Sequence, residues 1–222
     1  NFKTMKKLPF IKKTPILIVI LSLTLLYNCD DSNDEINNSN NTTDKIDIDT
    51  NETLTTSDIA ALLFMLEEEK LARDTYSYLS NLWPTNQFNN IKNSEQTHMN
   101  AIEGLLIKNN IDYIILPNGE FKDQTLQDLY NQFEINGSLS QSKGLEIGAN
   151  IEDLDIIDLQ NYIDNLSNTD IITVFQNLQC GSRNHLRSFV KGINKAGNSY
   201  IPQFLSQEQY EDIISASSEK CN

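Results

Sequence analysis

Apolar residues recur at the three- and four-residue spacing of helices in four long stretches that contain no proline. The pattern predicts four long helices over residues 57–82, 88–109, 139–166 and 170–195. Shorter helices are predicted over residues 125–133 and from the capping box at Ser206 and Gln209 to about Ile214. At 1.5 Å per residue, each long helix would measure about 33–42 Å.

The connections between the long helices are short, long and short. Trp83-Pro84 ends the first helix and residues 167–169 link the last two, whereas residues 110–138 separate the second from the third. Two helical hairpins joined by a crossover are typical of ferritin-like bundles. The sequence therefore predicts an all-α fold, a ferritin-like four-helix bundle with a long crossover between helices 2 and 3.

The N-terminal residues lack this periodicity and begin with a basic and then an apolar stretch. Lysines at positions 6, 7, 12 and 13 directly precede the apolar run from Ile16 to Tyr27. This run is too short to span a bilayer, and the pattern is typical of a secretory signal. The run ends at Cys29, which resembles the lipidated cysteine of bacterial lipoproteins, although residues 27 and 28 are bulkier than usual there. We therefore expect residues 1–28 to be a lipoprotein-type signal peptide. An ordinary cleaved signal and an uncleaved anchor are the alternatives.

Residues 29–56 contain the lipidated cysteine and a polar, acidic segment with no apolar face. Such a segment cannot bury enough surface to order itself, so it predicts a disordered tether. Asp30 and Asp31 resemble an export signal of surface lipoproteins, with a solvated linker as the alternative. The expected location is the bacterial cell envelope (outer membrane, periplasm or surface), with a lipid anchor in the membrane. The bundle would span residues 57–215 and a C-terminal tail residues 216–222.

Composition and charge exclude some classes of protein. The 222 residues include 17 basic and 31 acidic ones, and the net charge is −14. Removing residues 1–28 removes five lysines and leaves 12 basic residues, which lowers the net charge to −19. This charge is unfavourable for binding nucleic acid, and we expect no such partner. Eight glycines and five prolines are too few for the many turns of an all-β fold.

Each of the four apolar stripes is interrupted near its middle by an acid or a histidine. In a bundle core such a residue costs several kcal/mol unless it is paired, hydrogen-bonded or bound to metal. The interruptions are Glu69 on the first helix, Glu95 and His98 on the second, Glu152 on the third and His185 on the fourth. Counted from the helix ends, they lie at about the same level, so all can meet in one place.

This pattern matches the ligands of ferritin-like di-iron proteins, in which two helices each contribute Glu and the other two each contribute Glu-x-x-His. Glu95 and His98 form one such motif, but Ser182 stands where the second motif would have its glutamate. The remaining three carboxylates are one short for two divalent ions. Glu68, at the edge of the helix face, is the predicted additional ligand. Water or hydroxide in the gap and a mononuclear site are the alternatives.

Other side chains are expected beside these ligands. We expect Arg73, Tyr76 and Ser182 to lie next to the metal ligands. In the metal-free alternative, Arg73 would pair with Glu69 or Glu152. A second group of predictions concerns two cysteines. Cys180 lies off the apolar stripe and is predicted to face outward, where it could pair with Cys221 and clamp the tail onto the fourth helix. Metal ligation by these thiols is the less favoured alternative.

Four segments carry a closer resemblance: EEEKLARDTY at 67–76, SEQTHM at 94–99, IEDLDI at 151–156 and GSRNHLRSF at 181–189. Over about residues 55–215 the chain resembles an uncharacterised ferritin-like domain family of secreted bacterial and archaeal proteins. The resemblance implies a ferritin-like bundle with a metal site and no particular substrate.

The sequence thus predicts an envelope-anchored metal-binding protein with one or two iron ions, and with manganese or zinc as alternative metals. The expected chemistry of a carboxylate-bridged di-iron centre is oxidation of Fe(II), or reduction of O₂ or peroxide. No catalytic residue is assigned beyond the metal ligands, and enzymatic activity is left open. Two alternatives remain: a non-enzymatic module that binds metal for sequestration or structure, and a metal-free interaction protein with a buried polar network.

Overall fold

The computed structural model describes residues 53–221. In this range the chain is all-helical, with six helices and no strand. They are α1 (Thr56–Leu82), α2 (Asn86–Lys108), α3 (Gln124–Gly137), α4 (Gln141–Asn165), α5 (Thr169–Lys195) and α6 (Gln207–Ser215). The all-α prediction is confirmed. The predicted signal peptide, the lipidation site at Cys29 and nearly all of the tether lie outside the described residues.

The observed helix boundaries differ from the predicted ones by a few residues, and side-chain caps fix several of the helix starts. Helix α4 begins at Gln141 rather than at residue 139, since the Ser140 side chain accepts the backbone N–H of Lys143. Helix α3 is longer than predicted and extends to Gly137, after an N-cap at Asp123. None of the helices that the structure describes is long and apolar enough to cross a membrane.

The four long helices pack in pairs. Helix α1 lies along α2 and α4 lies along α5, while α2 also contacts α5 and α1 contacts α4. Two apolar clusters fill the interior. One contains residues such as Leu62, Met99 and Phe175, and the other contains residues such as Tyr76 and Phe189. On α1, α2 and α5 the predicted polar interruptions fall between the segments that form these two clusters.

The crossover between α2 and α4 is fixed to α1 by a buried lysine. The Lys70 ammonium group donates to the Asp74 carboxylate at 2.6 Å and to the carbonyls of Pro117 and Glu120 at 2.9 and 3.1 Å. It also lies 4.2 Å from the centroid of the Phe121 ring. Because every donor of this ammonium is used by a fixed partner, the lysine holds the crossover in place.

The segment after α5 is held by a buried aspartate on α4. The Asp153 carboxylate accepts the hydroxyl of Tyr200 at 2.7 Å and the backbone N–H groups of residues 203, 204 and 205. Four donors therefore satisfy one buried charge, which offsets the cost of its desolvation.

The C-terminal tail lies on α5. A disulfide joins Cys180 to Cys221 across a sequence separation of 41 residues, and closing a loop of that length stabilises a chain by about 3–4 kcal/mol. Glu219 pairs with Arg183 and Arg187 beside it. Cys180 belongs to neither apolar cluster of the interior, and it is buried because the tail covers this side of α5.

Candidate metal centre

The acidic run on α1 sends its side chains in different directions, because successive helical residues are about 100° apart. Glu67 turns to the crossover and accepts the backbone N–H groups of residues 122 and 123 at 3.0 and 2.8 Å. Glu68 turns toward Asp158 on α4. Glu69 faces the interior between α1 and α2, where it meets His98. Only one of the three glutamates therefore joins the cluster of candidate ligands.

Five of the predicted ligands come together in two groups of three. The first group is Glu69, Glu95 and His98, and the second is Glu95, Glu152 and His185. In each group the donor atoms lie within 4.8 Å of one another, and all five residues are buried. We call these five residues the carboxylate–histidine cluster. Glu95 belongs to both groups.

The two oxygens of Glu95 serve different imidazoles. Oε1 lies 2.9 Å from Nδ1 of His185, and Oε2 lies 2.9 Å from Nδ1 of His98. The two imidazole rings are stacked, with centroids 5.5 Å apart and planes inclined by 25°. Glu95 is therefore shared between the two groups of candidate ligands, with one oxygen near each imidazole.

An outer carboxylate completes each group. Oε2 of Glu69 lies 3.1 Å from Nδ1 of His98, and Oε2 of Glu152 lies 3.4 Å from Nδ1 of His185. The other oxygen of Glu152 accepts the hydroxyl of Tyr76 at 2.5 Å. Nδ1 of each imidazole thus faces two carboxylates, and the Tyr76 hydroxyl orients that of Glu152.

Several atoms of the carboxylate–histidine cluster have no hydrogen-bond partner although they are buried. They are Oε1 of Glu69, Oε1 of Glu95 and Nδ1 of His185. The last two lie 2.9 Å apart, but their directions do not make a hydrogen bond. Buried polar atoms normally have a hydrogen-bond partner. Unpartnered oxygen and nitrogen atoms that lie this close together therefore fit the ligands of a metal ion. Carboxylate oxygen and imidazole nitrogen are ligands that iron, manganese and zinc accept, so the residues fit a metal centre.

The histidines and glutamates shift one another's pKa values. Burial lowers the pKa of His185, but Glu95 and Glu152 outweigh it and raise the pKa to about 10. The pKa of His98 is raised well above its usual value, since Glu69 and Glu95 outweigh its burial. Burial raises the pKa of Glu95, but the two imidazoles outweigh it and hold the pKa well below its usual value.

The pKa values of the two outer carboxylates are raised, in contrast to that of Glu95. Burial raises the pKa of Glu69 to about 7, although His98 opposes the shift. Burial, and then Glu95, raises the pKa of Glu152 to about 7, with His185 opposing. The raised pKa values of the two histidines favour their protonated forms when no cation is bound, and a metal ion would displace those protons.

A carboxyl group that was not predicted from the sequence, that of Asp155, lies beside Ser182, where a glutamate ligand is missing. Ser182 donates to Oδ2 of Asp155, which is buried, while Oδ1 of Asp155 has no hydrogen-bond partner. Burial, and the carboxylates of Glu69, Glu152 and Glu95, raise the pKa of Asp155 well above its usual value. A fourth carboxyl therefore lies beside the cluster, but it comes from α4 rather than α5. The signal for it was the spacing Glu152-x-x-Asp155, which equals that of Glu95-x-x-His98.

Two of the predicted site residues lie elsewhere. Glu68 belongs to neither group of donors. The guanidinium of Arg73 donates to Asp74 and to Gln96 on α2 rather than to Glu69 or Glu152. This position leaves Arg73 partly exposed, so its charge remains partly hydrated.

Ser94 and Gly181 were also missed, and both position an imidazole. Nε2 of His185 lies 3.0 Å from Oγ of Ser94, which leaves Nδ1 facing the carboxylates. A Cβ atom on Gly181 would lie 2.6 Å from Nε2 of His98, so the ring packs directly on the α5 backbone. A glycine inside a helix costs about 1 kcal/mol, and its presence at the level of the histidines was the available signal.

Fold and site together define the class: an all-helical protein with a buried carboxylate–histidine cluster that could hold metal. Residues 58–217 match the family described as "Uncharacterized protein domain (DUF2202)", and the chain belongs to this family. It is 47% identical over 161 residues to uncharacterized protein MJ0754 of Methanocaldococcus jannaschii. The matched residues cover 72% of this chain and 87% of that protein.

The fold is also similar to a solved structure. The crystal structure of hypothetical protein MJ0754 from Methanococcus jannaschii DSM 2661 matches with a TM-score of 0.73 at 45% identity, covering 75% of this chain and 96% of that one. The predicted resemblance to an uncharacterised family with an archaeal member is confirmed.

Proposed function

We propose that the chain is a ferritin-like four-helix bundle that binds two divalent metal ions, one at each group of the carboxylate–histidine cluster. The observation that carries the proposal is the position of Glu95, whose two oxygens each lie 2.9 Å from a different imidazole nitrogen. A single carboxylate shared in this way suits two adjacent ions better than one. The unpartnered atoms of Glu69, Glu95 and His185 support metal rather than a closed hydrogen-bond network.

The ion that we propose is iron. When bound as Fe(II), it would supply electrons to O₂ or peroxide and be oxidised. Glu69 and Glu152 would each hold one ion from the outside, and the two histidines would each supply one nitrogen. Asp155 would add the fourth negative charge that three glutamates lack against two divalent ions. Ser94 would keep the Nδ1 lone pair of His185 directed inward, because the other ring nitrogen bonds to its hydroxyl.

We also propose that the bundle is anchored in a bacterial cell envelope. The support is the sequence pattern alone: basic residues, an apolar run ending at Cys29 and a polar acidic tether. Labelling of the expressed full-length chain with a palmitate analogue, and its loss in Cys29→Ser, would test this part. Membrane-free, unlabelled wild-type protein would contradict it.

The decisive experiment measures metal and oxygen together. The purified protein is incubated with Fe(II) without oxygen, desalted and assayed for iron; O₂ uptake is then recorded in an oxygen electrode. Glu95→Gln is the test variant, and Glu103→Gln is its control on the same helix, since Glu103 bonds to Tyr113 outside the cluster.

We expect two irons per chain in the wild type and in Glu103→Gln, and a loss of bound iron in Glu95→Gln. O₂ uptake on admitting oxygen would support the enzymatic form of the proposal. Bound iron without O₂ uptake would favour metal sequestration by the same site. A wild-type protein that binds no iron, manganese or zinc would contradict the metal centre. The alternative of a metal-free interaction protein with a buried polar network would then remain.

A further inference from the structure

A surface cavity lies beside the part of α4 that follows Glu152. Its volume is about 380 Å³, and its lining includes three polar residues of α4 at helical spacing together with two aromatic residues: Asp158, Asn161, Asn165, Phe64 and Tyr162. Carboxylate and amide oxygens are ligands that hydrated divalent cations accept. The cavity therefore exposes oxygen donors to solvent beside α1, the helix that carries Glu69.

A buried acid lies behind this cavity. Glu68 is 2% exposed, and its carboxylate oxygens have no hydrogen bond apart from the one that they can share with the Asp158 carboxyl when one of the two acids is protonated. Its carboxyl faces Asp158, which lines the cavity. The charged groups with the largest effect on Glu68 are all carboxyls, so a buried negative charge here would need a cation or a proton to offset it.

The carboxyls continue from Glu68 to the cluster. Glu68 interacts electrostatically with Asp155 and Glu69 as well as with Asp158. Asp155 in turn interacts with Glu69, Glu152 and Glu95, and its Oδ1 is unpartnered. Asp158, Glu68 and Asp155 thus form a run of acids that connects the cavity with the carboxylate–histidine cluster.

We propose that this run is the path by which a divalent metal ion reaches the cluster from the cavity, a role that rests on the proposed metal centre. Outside the cluster, residues 53–221 contain no third group of converging donors. The run would therefore hold an ion with few protein ligands at each point. Weak binding suits transfer, because an ion must leave each point as readily as it arrives.

The test separates the rate of loading from the amount of metal bound. Co²⁺ is mixed with the metal-free protein in a stopped-flow instrument, and the visible absorbance of the bound ion gives the loading rate. Equilibrium titration gives the stoichiometry. The variants are Asp158→Asn and Glu68→Gln, which keep side-chain shape and remove a charge. Asp164→Asn is the control, since this exposed residue of α4 bonds to Gln160 away from the run.

We expect both variants to load about tenfold more slowly than the wild type, as lost electrostatic guidance predicts. Both should still bind two Co²⁺ per chain, and the control should load at the wild-type rate. Thermal melting checks folding, and Asp158→Asn, which changes a partly exposed residue, carries the test if Glu68→Gln is unstable.

Three outcomes would overturn the path alone: unchanged loading rates in both variants, an equal slowing in Asp164→Asn, or a loss of bound ions in Glu68→Gln at an unchanged rate. The last would make Glu68 a ligand. A wild-type protein that binds no Co²⁺ would overturn the metal centre and the path with it.

Discussion

Two neighbouring acids on α4, Glu152 and Asp153, are equally buried and have opposite surroundings. Asp153 accepts the Tyr200 hydroxyl and three backbone N–H groups, so its charge is satisfied by fixed donors. Glu152 accepts one hydroxyl from Tyr76 and otherwise faces His185, whose Nδ1 lacks a hydrogen bond. A buried charge with fixed donors is part of the scaffold, whereas one beside unpartnered donors indicates a binding site.

The same contrast holds on α1. Lys70 and Asp74 are buried and fully hydrogen-bonded, and they fix the crossover. Glu69, which directly precedes Lys70, has an unpartnered oxygen. Glu68 has no hydrogen bond apart from the one that it can share with Asp158. Hydrogen-bond satisfaction thus separates the two kinds of buried charge where burial and sequence position do not.

The largest effect is expected at Asp153. Asp153→Ala should lower the free energy of unfolding by about 3–5 kcal/mol, because several buried donors would lose their acceptor. Glu152→Gln should lower it by less than about 1.5 kcal/mol, since a partly protonated carboxyl is replaced by an isosteric amide. Urea unfolding of metal-free protein measures both. Equal losses in the two variants would remove the distinction between scaffold and site.

Glu95→Gln should have the opposite profile to Asp153→Ala. It should weaken binding of Mn²⁺ by more than about 100-fold, because even partners of metal ligands contribute 10–100-fold. Isothermal titration calorimetry measures the affinity, with Glu103→Gln as the control on α2. Wild-type affinity in Glu95→Gln would exclude a bridging role for this carboxylate.

Metal affinity should rise with pH. Since the pKa of His185 is raised to about 10, its proton must be displaced when metal binds at neutral pH. Each displaced proton increases the apparent affinity about tenfold per pH unit below that pKa. Because the pKa values of Glu69 and Glu152 are raised to about 7, the dependence should steepen below pH 7. Mn²⁺ titrations between pH 6 and 8 test this, and an affinity independent of pH would contradict it.

The smallest effect is expected at Ser94, which touches an imidazole but not the carboxylates. Ser94→Ala should weaken Mn²⁺ binding about tenfold, because Nε2 of His185 would lose the partner that orients the ring. Thr97→Ala, an exposed change on the same helix, should leave the affinity unchanged. If the two variants behave alike in the same titration, Ser94 has no orienting role.

Much of this organisation could be predicted from the sequence. The helical period alone predicted the all-α fold and the long helices, since apolar stripes need only local geometry to be recognised. The same period indicated Glu69, Glu95, His98, Glu152 and His185, because an acid or histidine within an apolar stripe must face the interior. Their convergence at one level followed from counting residues from the helix ends.

The contacts between side chains of different segments depended on how the helices are rotated about their axes and on what covers them. Asp155 and Ser182 meet because α4 and α5 pack with those faces together, a contact that periodicity within one helix does not encode. Arg73 turns to Asp74 and Gln96, Glu68 turns to Asp158, and Cys180 is buried by the tail.

The sequence by itself therefore determined which residues face the interior, because that depends on the 100° turn between successive residues of one helix. Only the tertiary structure decided which buried charges are satisfied. Asp153 and Glu152 differ in the partners that distant segments bring to them: residues 200–205 for Asp153, and Tyr76 of α1 and His185 of α5 for Glu152. Local periodicity does not encode those partners.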